Sequence, residues 1–230
     1  RPVIEDFQER NGAIGNYVTL TGRGFGDNPG RVLFLGDPAL PADDRPANVA
    51  SPIGICPAAD YWTPTQVVVE VPPGVVDGPL YLEQSVADGG LSDDTIDNTT
   101  AGVNDDFDVN ATVRPSLACT DPASACFLPG SPVSINFFGK NFGGVTGVSF
   151  GGKAGMNFSG VSATQVKADL PDLKPSSFGT WVQAGIERSN PIGFTATSCA
   201  IDPVIDTITP NPGPVQQAIT ISGKHFGTTA

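Results

Sequence analysis

Residues 17–26 read YVTLTGRGFG, residues 135–144 read INFFGKNFGG, and residues 218–227 read AITISGKHFG. Each stretch is a strand-like apolar run that enters Gly-x-x-Phe-Gly, at Gly22 to Gly26, Gly139 to Gly143 and Gly223 to Gly227. Self-similarity of this kind marks a repeat architecture and decides the fold before any single residue does. Working upstream, Pro2-Val3-Ile4-Glu5 matches Pro203-Val204-Ile205-Asp206, and both Pro-to-Gly intervals are 20 residues, 2 to 22 and 203 to 223. The middle copy opens at Pro115 and takes 24, with its extra residues where Cys119 and Cys126 stand.

Downstream, the first two copies keep step. Val32-Leu33-Phe34 corresponds to Val148-Ser149-Phe150, and Thr65 to Pro72 (TQVVVEVP) corresponds to Thr164 to Pro171 (TQVKADLP). Val166, Ala168 and Leu170 alternate with Gln165, Lys167 and Asp169, the pattern of a half-buried antiparallel strand; Val67, Val69 and Val71 are read the same way. Both copies then offer a strand (Pro79-Leu80-Tyr81-Leu82; Thr180 to Ala184) and close on Phe107-Asp108-Val109 or Phe194-Thr195-Ala196. Short strands, frequent turn signals and the lack of an amphipathic helix predict an all-β chain of tandem immunoglobulin-like β-sandwiches. The expected division is a sandwich over 1–112 with two long loop insertions, a second over 113–200, and the incomplete start of a third over 201–230.

This order of motifs resembles the IPT/TIG family, the immunoglobulin-like domains of plexins, certain transcription factors and many bacterial surface proteins. Its pattern is met by Pro203-Val204-Ile205, Gly139-Lys140-Asn141-Phe142-Gly143, Val148-Ser149-Phe150-Gly151, Thr164 to Pro171 and Ser189-Asn190-Pro191-Ile192-Gly193-Phe194. The first copy departs from it by length: 85 residues separate Gly22 from Phe107, against 55 between Gly139 and Phe194. The resemblance implies the fold and leaves the function open, since the family serves adhesion, receptor, DNA-binding and enzyme-accessory roles.

Composition narrows the function. With 24 Asp+Glu against 12 Lys+Arg, the net charge of −12 argues against nucleic acid or an anionic membrane as partner, because both demand a basic face. No apolar run reaches the roughly 18 residues that would span a bilayer as a helix. The chain opens at Arg1 without a signal-peptide pattern, which reads as a mature or excised piece. Four cysteines without a C-x-x-C pair, and one histidine, favour disulfides in an oxidising compartment over zinc. Cys119 with Cys126, bracketing an enlarged turn, is the expected bridge; Cys56 with Cys199 follows by elimination. Sequons at Asn98, Asn110 and Asn157 fit glycosylation of an extracellular or cell-surface protein.

Candidate chemistry is sparse. His225 stands where the other copies have Gly24 and Asn141, which points to a left-handed turn position rather than a catalytic base. A Ser-His-Asp or Cys-His site finds no partners. The glycine turns lead into strands, so they do not cradle phosphate. Six aspartates, Asp93, Asp94, Asp97, Asp105, Asp106 and Asp108, crowd one insertion; they are candidate Ca²⁺ ligands, against the plainer reading of a solvated acidic loop. Tyr61 and Trp62, at the end of the other insertion, are the aromatics least explained by a core and would suit a sugar-stacking platform.

These readings predict a non-catalytic extracellular structural or adhesive repeat protein of a stalk, filament or surface layer. Its partners would be other protein subunits, a homopolymer included. No cofactor is expected beyond Ca²⁺. The alternative is a carbohydrate-binding or accessory module of a larger secreted enzyme, with glycans as partners.

Overall fold

The structure is a computed structural model that describes residues 1–37, 44–46, 48, 49, 56, 61–95, 106–128, 131–199, 204–213, 215, 216 and 218–224. These fall into two compact units, Arg1–Thr197 and Ser198–Ala230. The fold is all-β and immunoglobulin-like, built from sandwiched sheets.

The first ten strands are β1 (Val3–Gln8), β2 (Asn11–Gly12), β3 (Tyr17–Arg23), β4 (Arg31–Gly36), β5 (Asp44–Pro46), β6 (Asn48–Val49), β7 (Gln66–Glu70), β8 (Val75–Glu83), β9 (Ser92–Asp94) and β10 (Asp108–Val109). One sheet runs β1-β3-β7-β6 and the other β5-β4-β8-β9, with β10 paired to β2. Alternation makes the core: Val32 and Phe34 of β4, and Leu80 and Leu82 of β8, point inward against Ile4, Phe7, Leu20, Val67 and Val69 of the facing sheet. Phe107 closes it edge-on to Phe34, ring centroids 5.3 Å apart.

The next ten are β11 (Ser116–Asp121), β12 (Ser124–Cys126), β13 (Ser134–Lys140), β14 (Gly147–Phe150), β15 (Lys153–Ala154), β16 (Met156–Ser162), β17 (Gln165–Asp169), β18 (Ser176–Ala184), β19 (Glu187–Arg188) and β20 (Ile192–Thr197). One sheet is β11-β13-β17-β16; the other is β12-β20-β18-β14-β15, with β19 on β18. Leu117, Ile135, Phe137, Phe150, Val166, Val182 and Phe194 fill the space between. In the second unit β21 (Val204–Thr209) and β22 (Thr220–Lys224) form a two-stranded antiparallel ribbon.

The repeat is visible in the register. Ile4 pairs with Gly22 and Leu117 with Gly139, each followed by a one-residue bulge, and Ile205 pairs with Gly223 ahead of the same bulge. A Cβ at Gly22 or Gly139 would strike the carbonyl oxygen of Val3 or Ser116 and the ring of Phe25 or Phe142. Glycine is therefore what allows that Phe, three residues on, to fold back into the core. The next turn position is left-handed as expected, with φ +68° at Gly24 and +61° at Asn141; His225 lies outside the described residues.

The expected cysteine pairing is wrong. Cys56 is bonded to Cys119, with Cα atoms 6.0 Å apart. The cause is topological: β11, which carries Cys119, belongs to one sheet and β12, which carries Cys126, to the opposite one. The short segment between them is a crossing from sheet to sheet and not a hairpin. Cys126 and Cys199 are disulfide-bonded as well, and neither expected pair forms as written.

Candidate functional site

A network of polar contacts gathers at the junction between the two cores of the first unit. Its origin is β7. Val67 and Val69 enter the first core, but Val68, on the other face, is fully buried in the second, together with Tyr17 of β3. At the position matching Val68 the second copy carries Lys167, which is exposed. The outer face of one sheet is thus covered in the first copy and open in the second.

Polar groups lock this contact. Asn190 is 1% exposed; its Oδ1 accepts from the Leu117 N–H at 2.8 Å, and its Nδ2 donates to the Leu117 carbonyl at 2.8 Å and to Thr19 Oγ1 at 2.9 Å. Ser189 beside it accepts from the Val182 N–H at 3.1 Å and donates to the Asn190 carbonyl. The Ser-Asn-Pro motif is therefore a structural clasp. Tyr17 N–H donates to Ser116 Oγ at 3.1 Å and Gly193 N–H to Gln66 Oε1 at 2.8 Å. Two ion pairs cross the same boundary, Lys140–Glu70 and Arg188–Glu9, at 2.9 and 2.8 Å, and a third, Arg114–Glu187 at 2.6 Å, lies beside it within the second copy. Arg114 also donates to the carbonyl and side-chain oxygens of Asn11. Lys140 Nζ lies 4.4 Å from the centroid of the Tyr17 ring. Burial, reinforced by the charge of Glu70, pushes the Tyr17 hydroxyl up to about 12.

A groove of about 300 Å³ opens at this boundary, with Gln8, Gln66, Thr21, Trp181, Arg188 and Pro191 among its lining residues. Arg188 sits over the Trp181 indole, 5.5 Å from its centroid. A second hollow of about 280 Å³ shares Gln66, Ile192 and Gly193 and includes Thr120, whose buried hydroxyl has no hydrogen-bond partner. The assembly offers an apolar ring face, amides and a guanidinium, a set suited to binding and without a nucleophile–base pair.

The residues singled out from sequence are placed elsewhere. Trp62 is not a platform: it is 2% exposed in the first core, its indole N–H donating to the Gly26 carbonyl at 3.2 Å. Tyr61 is half-buried against both cores. Asp93 is buried and accepts from the Ile4 N–H at 2.9 Å and from Arg1 at 3.3 Å, tying β9 to β1. Asp94 shares β9 with it, Asp108 lies in β10 and Asp106 just before it; Asp97 and Asp105 fall outside the described residues. Among the described residues no three acidic, His or Cys side chains gather as a metal site. Of the sequons, Asn110 and Asn157 are exposed and Asn98 falls outside the described residues. The Asn157 side chain donates to Asp169 at 2.7 Å. Hydrogen bonds from Ser134 and Asn157 hold the Asp169 carboxyl below its usual range.

No protein-family model matches the chain, and no match is found among curated proteins. Solved structures similar to it include the plexin A4 extracellular region, 18% identical with a TM-score of 0.33, covering 91% of this chain and 16% of that one. SGBP-B from a complex xyloglucan utilization locus of Bacteroides uniformis is 14% identical, TM-score 0.31, covering 85% of this chain and 49% of that one. A surface glycan-binding protein of Prevotella bryantii is 14% identical, TM-score 0.30, covering 85% and 41%. The chain spans less than half of each of these proteins, and at such scores the likenesses carry no argument about function.

Proposed function

We propose that this chain is a non-catalytic structural segment of an extracellular protein, made of IPT/TIG-like repeats at 1–112 and 113–200 that act as one stiff body. The observation that carries the proposal is the junction. Val68 and Tyr17 of the first copy are buried in the second copy's core, and Asn190 and the Cys56–Cys119 bridge span the boundary. Flexible modules joined by a linker would not bury apolar side chains of one module in the core of the next, whereas a stalk or surface layer needs length without bending. Residual dipolar couplings test it: both copies should fit a single alignment tensor, and two independent tensors would refute the stiff body.

A second reading is favoured by one feature, the Trp181 face beside amide and guanidinium groups in the junctional groove. Under it the groove binds a saccharide. A glycan array probed with the native chain and with Trp181→Ala decides: binding lost in the variant supports it, and no binding by the native chain removes it.

A further inference from the structure

The second unit is a ribbon with its core face uncovered. The matching registers of β1–β3, β11–β13 and β21–β22 fix which positions are equivalent. In the first copy the inward positions Ile4, Phe7, Val18 and Leu20 are 0–2% exposed, and in the second Leu117, Thr120, Ile135 and Phe137 are 0–4% exposed. Their equivalents in the ribbon are Ile205, Ile208, Ile219 and Ile221, which are 55%, 40%, 55% and 46% exposed. Four isoleucines on one face of a two-stranded ribbon match a core, not a surface, and such a ribbon alone is marginal in water.

The first unit shows, twice, what covers that face. The free edge of β3 takes β7, and that of β13 takes β17, each antiparallel and each of the pattern Thr-Gln-Val-x-Val/Ala-x-x-Pro. The opposite sheet then supplies Phe34, Leu80 and Leu82, or Phe150, Val182 and Phe194.

We propose that the ribbon 204–224 is an acceptor whose occupant is the remainder of a further repeat of this kind. Its strand of the β7/β17 type would lie antiparallel along β22, with an opposing sheet closing over the four isoleucines. This rests on the repeat reading above but not on the stiffness of the junction, so the dipolar-coupling result and the one below fail separately.

Lys224 and Lys140 occupy the same register position, opposite Val204 and Ser116. Residues 141–197 can therefore be placed directly after Lys224, in place of residues 225–230. Amide exchange across 204–224 should then slow at least a hundredfold, and Ile208→Asp with Ile221→Asp should abolish the gain. Because the appended segment could be mispaired with an isoleucine-rich face, a labelled peptide of residues 64–72 is titrated separately onto the native 230-residue chain. Binding that is lost in the Ile221→Asp variant supports the acceptor even where the appended chain does not close. Unchanged exchange together with no peptide binding overturns the proposal. So does reversible dimerisation of the native chain in sedimentation velocity that Ile221→Asp removes, since the occupant would then be a second copy.

Discussion

Replacing Asn190 with alanine removes one side chain and strips three partners. Leu117 is wholly buried, and both its N–H and its carbonyl are satisfied by the Asn190 amide at 2.8 Å, in the stretch where the β11 bulge takes the backbone out of regular pairing. Leaving a buried backbone group without a partner costs about 1–3 kcal/mol, so two such groups, partly relieved by water entering the space, place the loss at about 3 kcal/mol. The third bond, to Thr19 Oγ1, is the one that crosses the junction. Thr19→Val removes that acceptor alone, leaves Nδ2 bonded to Leu117, and should cost about 1 kcal/mol or less. Urea unfolding of native, single and double variants at fixed protein concentration measures all three and closes a double-mutant cycle. A coupling energy near the Thr19→Val value is expected. The reasoning is refuted if Asn190→Ala costs under 1 kcal/mol, or if Asn190→Asp, which keeps the acceptor and loses the donor, is as stable as the native chain.

The disulfide assignment is checked by non-reducing peptide mapping, which should recover Cys56 joined to Cys119. Removing that bridge by Cys56→Ala opens a loop with a sequence separation of 63 and should lower stability by about 4 kcal/mol on the chain-entropy estimate. For acid stability, Asp169 binds its proton less readily folded than unfolded, because Ser134 and Asn157 donate to its charged form. Its contribution is present above the usual carboxylate range and is lost as pH falls through the lowered folded value. Asn157→Ala should therefore move the acid-unfolding midpoint upward and leave stability at pH 7 much less affected than Asn190→Ala does; an unmoved midpoint counts against it.

How much of this could be read from residues alone differs by feature. The repeated Gly-x-x-Phe turn was legible because it is nearly local: glycine clears a ring three residues away and a carbonyl of the strand paired with it, and a left-handed residue follows within the same turn. The cysteine pairing was not, because it depends on which sheet each strand joins, and Cys119 and Cys126 part to opposite sheets within a few residues. Asp93 shows the same limit. Its carboxylate stands in an acidic run that resembles a cation site, yet it is spent on the Ile4 N–H of a strand far away in sequence. Trp62 looked like loop and is core because its insertion returns to the sandwich where Gly26 offers a carbonyl. The groove residues Gln8, Gln66 and Arg188 carried no signal of their own, since only the junction brings them together.

Val67-Val68-Val69 is a continuous apolar run, the pattern of a strand buried on both faces, while Val166-Lys167-Ala168 alternates. The difference marks which sheet has a neighbour against its outer surface. On that surface the first copy presents Tyr17, Thr19 and Val68, all buried, and the second presents Ser134, Asn136 and Lys167, none of them buried. A further junction built on the same face of the second copy would have to desolvate a lysine and an asparagine, against a hydrophobic gain lost with Tyr17 and Val68. The ribbon's equivalent of Thr19 and Asn136 is again polar, Thr220, and that of Tyr17 is only an alanine, Ala218. The buried contact between the first two cores is therefore a property of this pair of sequences and does not recur automatically with the repeat.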